Sequence, residues 1–148
     1  MKRIANFIPT LSGGGAERVV VNLLQAFDRN EVTPILVTGS ATGPFADKIA
    51  SDVEVIDLQT PRMRNAAGPL RDLMNQRRFD LFISHLSHAN IATLRAAKRT
   101  KHKPKWVSMD SDNYGYDIES IRDIARRYCR GVDRLDLEEM KSAGFAIP

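Results

Sequence analysis

Residues 4–27 read IANFIPTLSGGGAERVVVNLLQAF, three kinds of sequence in succession. A short apolar run, residues 4–9, leads into Ser12-Gly13-Gly14-Gly15-Ala16-Glu17-Arg18, and an apolar-periodic stretch follows at 19–27. The order predicts a strand, a glycine turn and a helix. In an open α/β sheet such a turn lies at the carboxyl end of a strand, where ligands bind. Glycine has no β-carbon, so a ligand can approach the backbone closely. A helix start offers free N–H groups and a partial positive charge, which suits a phosphate. The glycines match neither the G-x-G-x-x-G dinucleotide spacing nor the G-x-x-x-x-G-K-[ST] P-loop spacing. Spacing alone therefore leaves open a flexible strand–helix connection with no ligand.

Outward from this stretch, apolar runs and helix-period segments alternate. Residues 4–9 and 32–38 read as the first two strands, the second rich in β-branched residues. Thr42-Gly43-Pro44 breaks the chain, 45–50 reads as a short helix and 53–58 as a third strand. In the first helix, residues 16–27, Val20, Leu23, Leu24 and Phe27 share one face. Pro69 is placed to start the next helix, with Leu70, Leu73 and Met74 inward. Residues 81–84 read as a strand, Ser87 as the cap of a helix over 88–99, and 106–109 as a strand. A polar loop over 110–115 and a helix over 118–130 complete the pattern. This alternation predicts an α/β fold, a Rossmann-like doubly wound parallel sheet.

The chain has 148 residues, enough for one domain with a core of ordinary size. Its 22 Lys and Arg against 18 Asp and Glu leave a net charge of +4. That excess suits an anionic membrane surface or a phosphorylated substrate, and no motif of the common nucleic-acid modules is present. Cys129 is the single cysteine, which excludes an intrachain disulfide and a cysteine-based zinc site. It fits a reducing cytoplasmic compartment. The run after Met1-Lys2-Arg3 is short and interrupted by Asn6 and Pro9, so it reads as a strand and not a signal peptide. No stretch is long and apolar enough to span a bilayer, which leaves peripheral contact as the only membrane role.

The segment IPTLSGGGAERVVVNLL, residues 8–24, resembles the amino-terminal motif of the family 4 (group 1) retaining glycosyltransferases of the GT-B fold. The likeness is strongest over 4–27 and continues more weakly through 79–84 to about Arg134. It implies that residues 1–148 form the acceptor-side half of a GT-B architecture. In that family the carboxy-terminal domain binds the nucleotide-sugar and carries a paired-glutamate motif, and nothing in this chain resembles it. Residues 135–140 are a charged, helix-like stretch where the family has a strand ending in a serine-containing turn. The expected donor is a nucleotide-sugar co-substrate, with no other cofactor. The expected acceptor is a saccharide or a polyprenyl-linked saccharide. A separate donor-domain chain is an expected partner, and without one this chain is expected to be inactive.

The resemblance places Gly13, Gly14 and Gly15 against the donor diphosphate. Glu17 and Arg18 read either as loop-positioning residues or as a solvated pair. Asp110 stands at the end of a strand where the family has a histidine near the reacting sugar. A carboxylate there can orient an acceptor hydroxyl or take its proton, and is the catalytic candidate. Its ordinary pKa lies far below that of histidine, so the roles are not interchangeable. Asp110, Asp112 and Asn113 also fit simple turn hydrogen bonds. His85 and His88 lack a third ligand at zinc spacing, and no metal is expected. His85 borders the cleft in the family arrangement and is a candidate acceptor contact.

Arg71, Asn75 and Arg78 fall at i, i+4 and i+7 on a helix that is apolar on its other side. Arg71 and Arg78 are acceptor-binding candidates, by gripping a polyprenyl diphosphate or by docking on anionic lipid. A solvated face is the alternative for this helix, and for a second cluster, Arg95, Lys98, Arg99, Lys101, Lys103 and Lys105, a solvated face takes precedence over lipid docking. Together these readings give a glycosyltransferase domain of polysaccharide or cell-envelope assembly, cytoplasmic and peripheral on the inner face of the membrane. A non-catalytic binding or scaffold domain, or a truncated remnant, is the alternative. An unrelated nucleotide-binding Rossmann-like domain is a third.

Overall fold

The first strand is buried on both faces, as a central strand of a parallel sheet must be. In the computed structural model, which describes residues 1–102 and 104–109, β1 spans Lys2–Ile8 and is buried from Ile4 onward. The elements that follow are α1 (Gly15–Ala26), β2 (Val32–Thr38), a 3-10 turn (Ala46–Lys48), β3 (Glu54–Asp57) and a second 3-10 turn (Met63–Asn65). Then come α2 (Ala67–Gln76), β4 (Leu81–His85), α3 (Ser87–Ala97) and β5 (Lys105–Met109). Among the described residues all four strand pairings are parallel, in the order β3-β2-β1-β4-β5. The fold is the expected α/β Rossmann-like parallel sheet.

Alternation along the strands divides the core in two. Ala5, Phe7, Ile35, Val37 and Phe82 face α2 and α3 and pack on Leu70, Leu73 and Met74. Ile8 and Leu36 face α1 and meet Val20, Val21 and Leu24. Phe82 lies at the centre of the first half, 6.2 Å from Phe7 and 5.8 Å from Phe79 between ring centroids. At the sheet edge, Arg77 makes two hydrogen bonds, 2.6 and 2.7 Å, to the Glu54 carboxylate. That guanidinium holds the Glu54 carboxyl below its usual range, and the arginine is raised in turn.

Two helix starts differ from expectation. The first turn of α2 begins at Ala67, so Pro69 is its third residue. A proline is tolerated there because first-turn N–H groups have no helical partner to lose. Ser87 is the first residue of α3 and caps nothing; the boundary residue is Leu86, at φ 76° and ψ 148°. The backbone on both sides fixes Leu86: its N–H donates to Met109 O at 3.1 Å and its carbonyl accepts from Asn90 N at 2.9 Å. The loop over 110–115, the helix over 118–130, Cys129 and the charged tail lie outside the described residues.

Candidate functional site

Strand order reverses between β1 and β4. Sequence-successive strands run from β1 through β2 to β3 on one side, and β4 and β5 continue on the other. In an open α/β sheet, the crevice at the carboxyl ends of the two strands flanking such a point is where ligands bind. Here the glycine loop leaves β1 and the strained Leu86 turn leaves β4, at the same end of adjacent strands.

Each of the three glycines has a different constraint. Gly13 sits at φ +102°, which side-chain-bearing residues rarely adopt, and a β-carbon there would lie 3.4 Å from the Phe45 ring. A β-carbon on Gly14 would come within 2.6 Å of Glu17 Oε2. Among the described residues nothing lies within 4 Å of the corresponding position at Gly15, so the open side of the loop is there. Helix α1 begins at Gly15 with Gly14 as its cap and no side-chain cap bond. Its first N–H groups are therefore unclaimed by any capping side chain, at the positive end of the helix dipole.

Neighbours hold the loop in shape. Glu17 is buried, and Ser12 Oγ donates to its Oε1 at 3.3 Å. The carboxylate is an internal brace of the loop, and the reading of Glu17 as half of a solvated pair is corrected by its burial. The β2–β3 connection adds a second brace: Ser40 N donates to Pro9 O and Phe45 N to Leu11 O, both at 3.1 Å. The sequence reading missed Phe45 and the Ser12–Glu17 bond, which no motif announces. They follow from the loop folding back on its own helix and from a connection distant in sequence.

His85 closes β4 with no exposed surface. Its Nε2 lies 2.9 Å from Asn6 Oδ1 on β1, so Nε2 carries the proton and donates it. Burial pushes the imidazole pKa down to about 3, which keeps the ring neutral. Asn6 Nδ2 is buried too and has no hydrogen-bond partner among the described residues. The two side chains form a polar pair beneath the crevice. Asn6 had a legible signal, since it interrupts an otherwise apolar strand.

Beside it, a second polar group joins β4, β5 and α3. Trp106 Nε1 donates to Ser84 Oγ at 2.8 Å, and Ser84 Oγ donates to Asn90 Oδ1 at 2.6 Å. Asn90 Nδ2 donates to Met109 O at 3.2 Å. This network fixes the end of β5, immediately before Asp110. Asp110 itself, the catalytic candidate, lies outside the described residues.

The three acceptor-binding candidates are not brought together. His85 is interior at the carboxyl end. Arg71 is on α2, 3.0 Å from Asp72 Oδ1, and borders a groove between α2 and α3. Arg78 lies beyond the end of α2 and shares no helical face with Arg71. Two residues later the chain joins the amino end of the sheet, where Asp80 N donates to Arg3 O at 2.9 Å, opposite the glycine loop. Asn75, the middle member of the expected face, accepts bonds from Thr100 Oγ1 and Lys101 N at 2.8 Å. Among the described residues no group of three or more His, Cys, Asp or Glu side chains could hold a metal ion.

With this geometry in place, comparison with protein families is decisive: the model of Glycosyltransferase Family 4 matches residues 13–135. The chain belongs to glycosyltransferase family 4. The match begins within the glycine loop and spans α1 to β5 of the described fold. No curated protein matches the chain. Membership carries the general function of the family, sugar transfer, and with it a sugar donor and an acceptor as substrates. The five-stranded parallel sheet is consistent with one half of a GT-B architecture. Among the described residues no helix is long and apolar enough to cross a membrane.

Proposed function

We propose that this chain is the acceptor-side domain of a retaining glycosyltransferase, moving a sugar from a nucleotide-sugar to a saccharide or polyprenyl-linked acceptor. The observation that carries the reading is the uncapped start of α1 at Gly15, at the topological switch point of a family 4 domain. In the reaction, the bond between the anomeric carbon and the diphosphate breaks, and an acceptor hydroxyl forms the new glycosidic bond. Negative charge grows on the departing diphosphate. The first N–H groups of α1 stabilise that charge without reorganising, because the Ser12–Glu17 bond and Phe45 hold the loop in advance. Gly13 and Gly14 shape the loop, and Gly15 admits the ligand.

In this proposal Asp110 orients the acceptor hydroxyl or takes its proton. His85 acts from beneath the crevice: neutral and fixed to Asn6, it sets the end of β4 on the acceptor side. Arg71 meets acceptor phosphate only where an acceptor extends over α2. A complementary donor domain completes the site, and the cytoplasmic face of a membrane engaged in polysaccharide assembly is the setting.

The test is transfer of labelled sugar from a panel of nucleotide-sugars to saccharide and lipid-linked acceptors. The catalyst is this chain with the donor domain encoded in frame or in an adjacent gene. Transfer that Gly15→Val abolishes, without loss of folding, supports the reading. No transfer with any donor, or transfer indifferent to Gly15→Val, overturns it in favour of a non-catalytic binding domain.

A further inference from the structure

Helix α3 turns its large side chains the wrong way for an ordinary surface helix. Its buried side is Ala89, Ala92, Thr93 and Ala96, small residues that bring it close to its neighbours. Its large aliphatic residues, Ile91 and Leu94, are 49% and 39% exposed. At the helical repeat, Ile91, Leu94, Arg95 and Lys98 fall on one outward face.

Beside that face lies a groove of about 470 Å³ between α2 and α3, lined by Arg64, Arg71, Arg95, Lys98 and Arg99 and otherwise by small residues. Among the described residues no acidic side chain lines it. Among the described residues only Arg71 of the five is in an ion pair, with Asp72. Arg64 and Arg71 meet part of the second basic cluster here, from segments separate in sequence. Five cations around one hollow repel each other, and a surface of phosphate groups relieves that repulsion. Arginine forks suit phosphate oxygens. Free phosphate would account for the groove and leave Ile91 and Leu94 unexplained. A bilayer with anionic headgroups accounts for both.

We propose that the outer face of α3 and the α2–α3 groove dock this domain on an anionic lipid surface. Headgroup phosphates enter the groove, and Ile91 and Leu94 rest at the acyl boundary. The face runs from Ser87, next to the Leu86 turn at the crevice end, to Lys98 toward the amino end of the sheet, so docking lays the side of the α2–α3 layer along the bilayer. This deepens the membrane-side setting proposed above and rests on it for its purpose. It moves the contact from the expected Arg71–Arg78 face to α3.

The experiment is co-sedimentation of the full chain with vesicles of phosphatidylcholine alone or mixed with phosphatidylglycerol, at low and high salt. Binding to the mixed vesicles only, released by high salt, is the expected result. Arg95→Glu with Lys98→Glu weakens it at least about tenfold, and Ile91→Ser with Leu94→Ser about threefold or more. Val55→Ser, which removes an exposed aliphatic on β3, leaves binding unchanged. All are surface changes, and circular dichroism verifies folding. The proposal is overturned by absence of vesicle binding, by equal binding to pure phosphatidylcholine, by binding that either double variant leaves intact, or by capture of inorganic diphosphate without vesicle binding. Transfer to a water-soluble acceptor is read separately, so loss of docking and loss of the transferase reading are distinguishable.

Discussion

At the scale of single residues, the three glycines of the β1–α1 loop should behave as three different positions. Gly13→Ala forces a β-carbon into φ +102° and should cost about 1–2 kcal/mol in denaturant melts. Gly15→Ala meets open space at a helical position and should be neutral or stabilising by up to about 1 kcal/mol. A second prediction concerns His85. Its folded pKa, about 3, lies below the ordinary 6.5, so between those values the unfolded chain binds the extra proton. The stabilisation is complete above pH 6.5 and is lost as pH falls toward 3. Wild-type stability should therefore drop between pH 7 and 5 by about 2 kcal/mol more than that of His85→Gln, read from urea midpoints. Equal slopes would mean that the histidine is already protonated or solvated. That Gly13–Gly15 make the turn between the first strand and the first helix was legible from type and position. The interior placement of His85 was not, because a strand's last residue can face solvent or core, and only the packing of β1 beside β4 chose the core.

At the scale of elements, the turn from β4 into α3 stores strain at Leu86, which holds a backbone region otherwise almost reserved for glycine. Its half-buried side chain packs on the α1 side of the core. Leu86→Gly trades that packing for relief of strain, whereas Leu86→Ala loses the packing and keeps the strain. The glycine variant should be the more stable of the two by about 1 kcal/mol or more, the reverse of the usual order. Calorimetry of the pair decides it. Strand and helix positions were largely legible from periodicity: β2 is observed over the residues expected, and the inward residues of α1 and α2 are buried. Helix starts were less so. Ser87 and Pro69 both carry starting signals, yet the hydrogen bonds of Leu86 to β5 and of Leu70 to Ala66 set the boundaries instead.

At the scale of the whole molecule, one aromatic cluster joins the sheet to the α2–α3 layer. Phe82, fully buried between Phe7 and Phe79, is its centre. Phe82→Ala should cost about 3–5 kcal/mol, a large share of the stability of a domain this size, and lower the urea midpoint accordingly. A loss below about 1 kcal/mol would show that neighbouring side chains refill the space. Some properties of this protein were set by the sequence alone: an alternating α/β order, a glycine turn after the first strand, and the family motif at residues 8–24. These are local, because periodicity, β-branching and turn chemistry act over a few residues. Strand order was not local. The placement of β4 on the far side of β1 created the switch point, buried His85 against Asn6 and turned the glycine loop toward the crevice. The same packing gathered Arg64 and Arg71 with Arg95, Lys98 and Arg99, residues far apart in the chain. Only the tertiary structure decided these, since they depend on which faces of distant elements meet, and a linear pattern carries no such information.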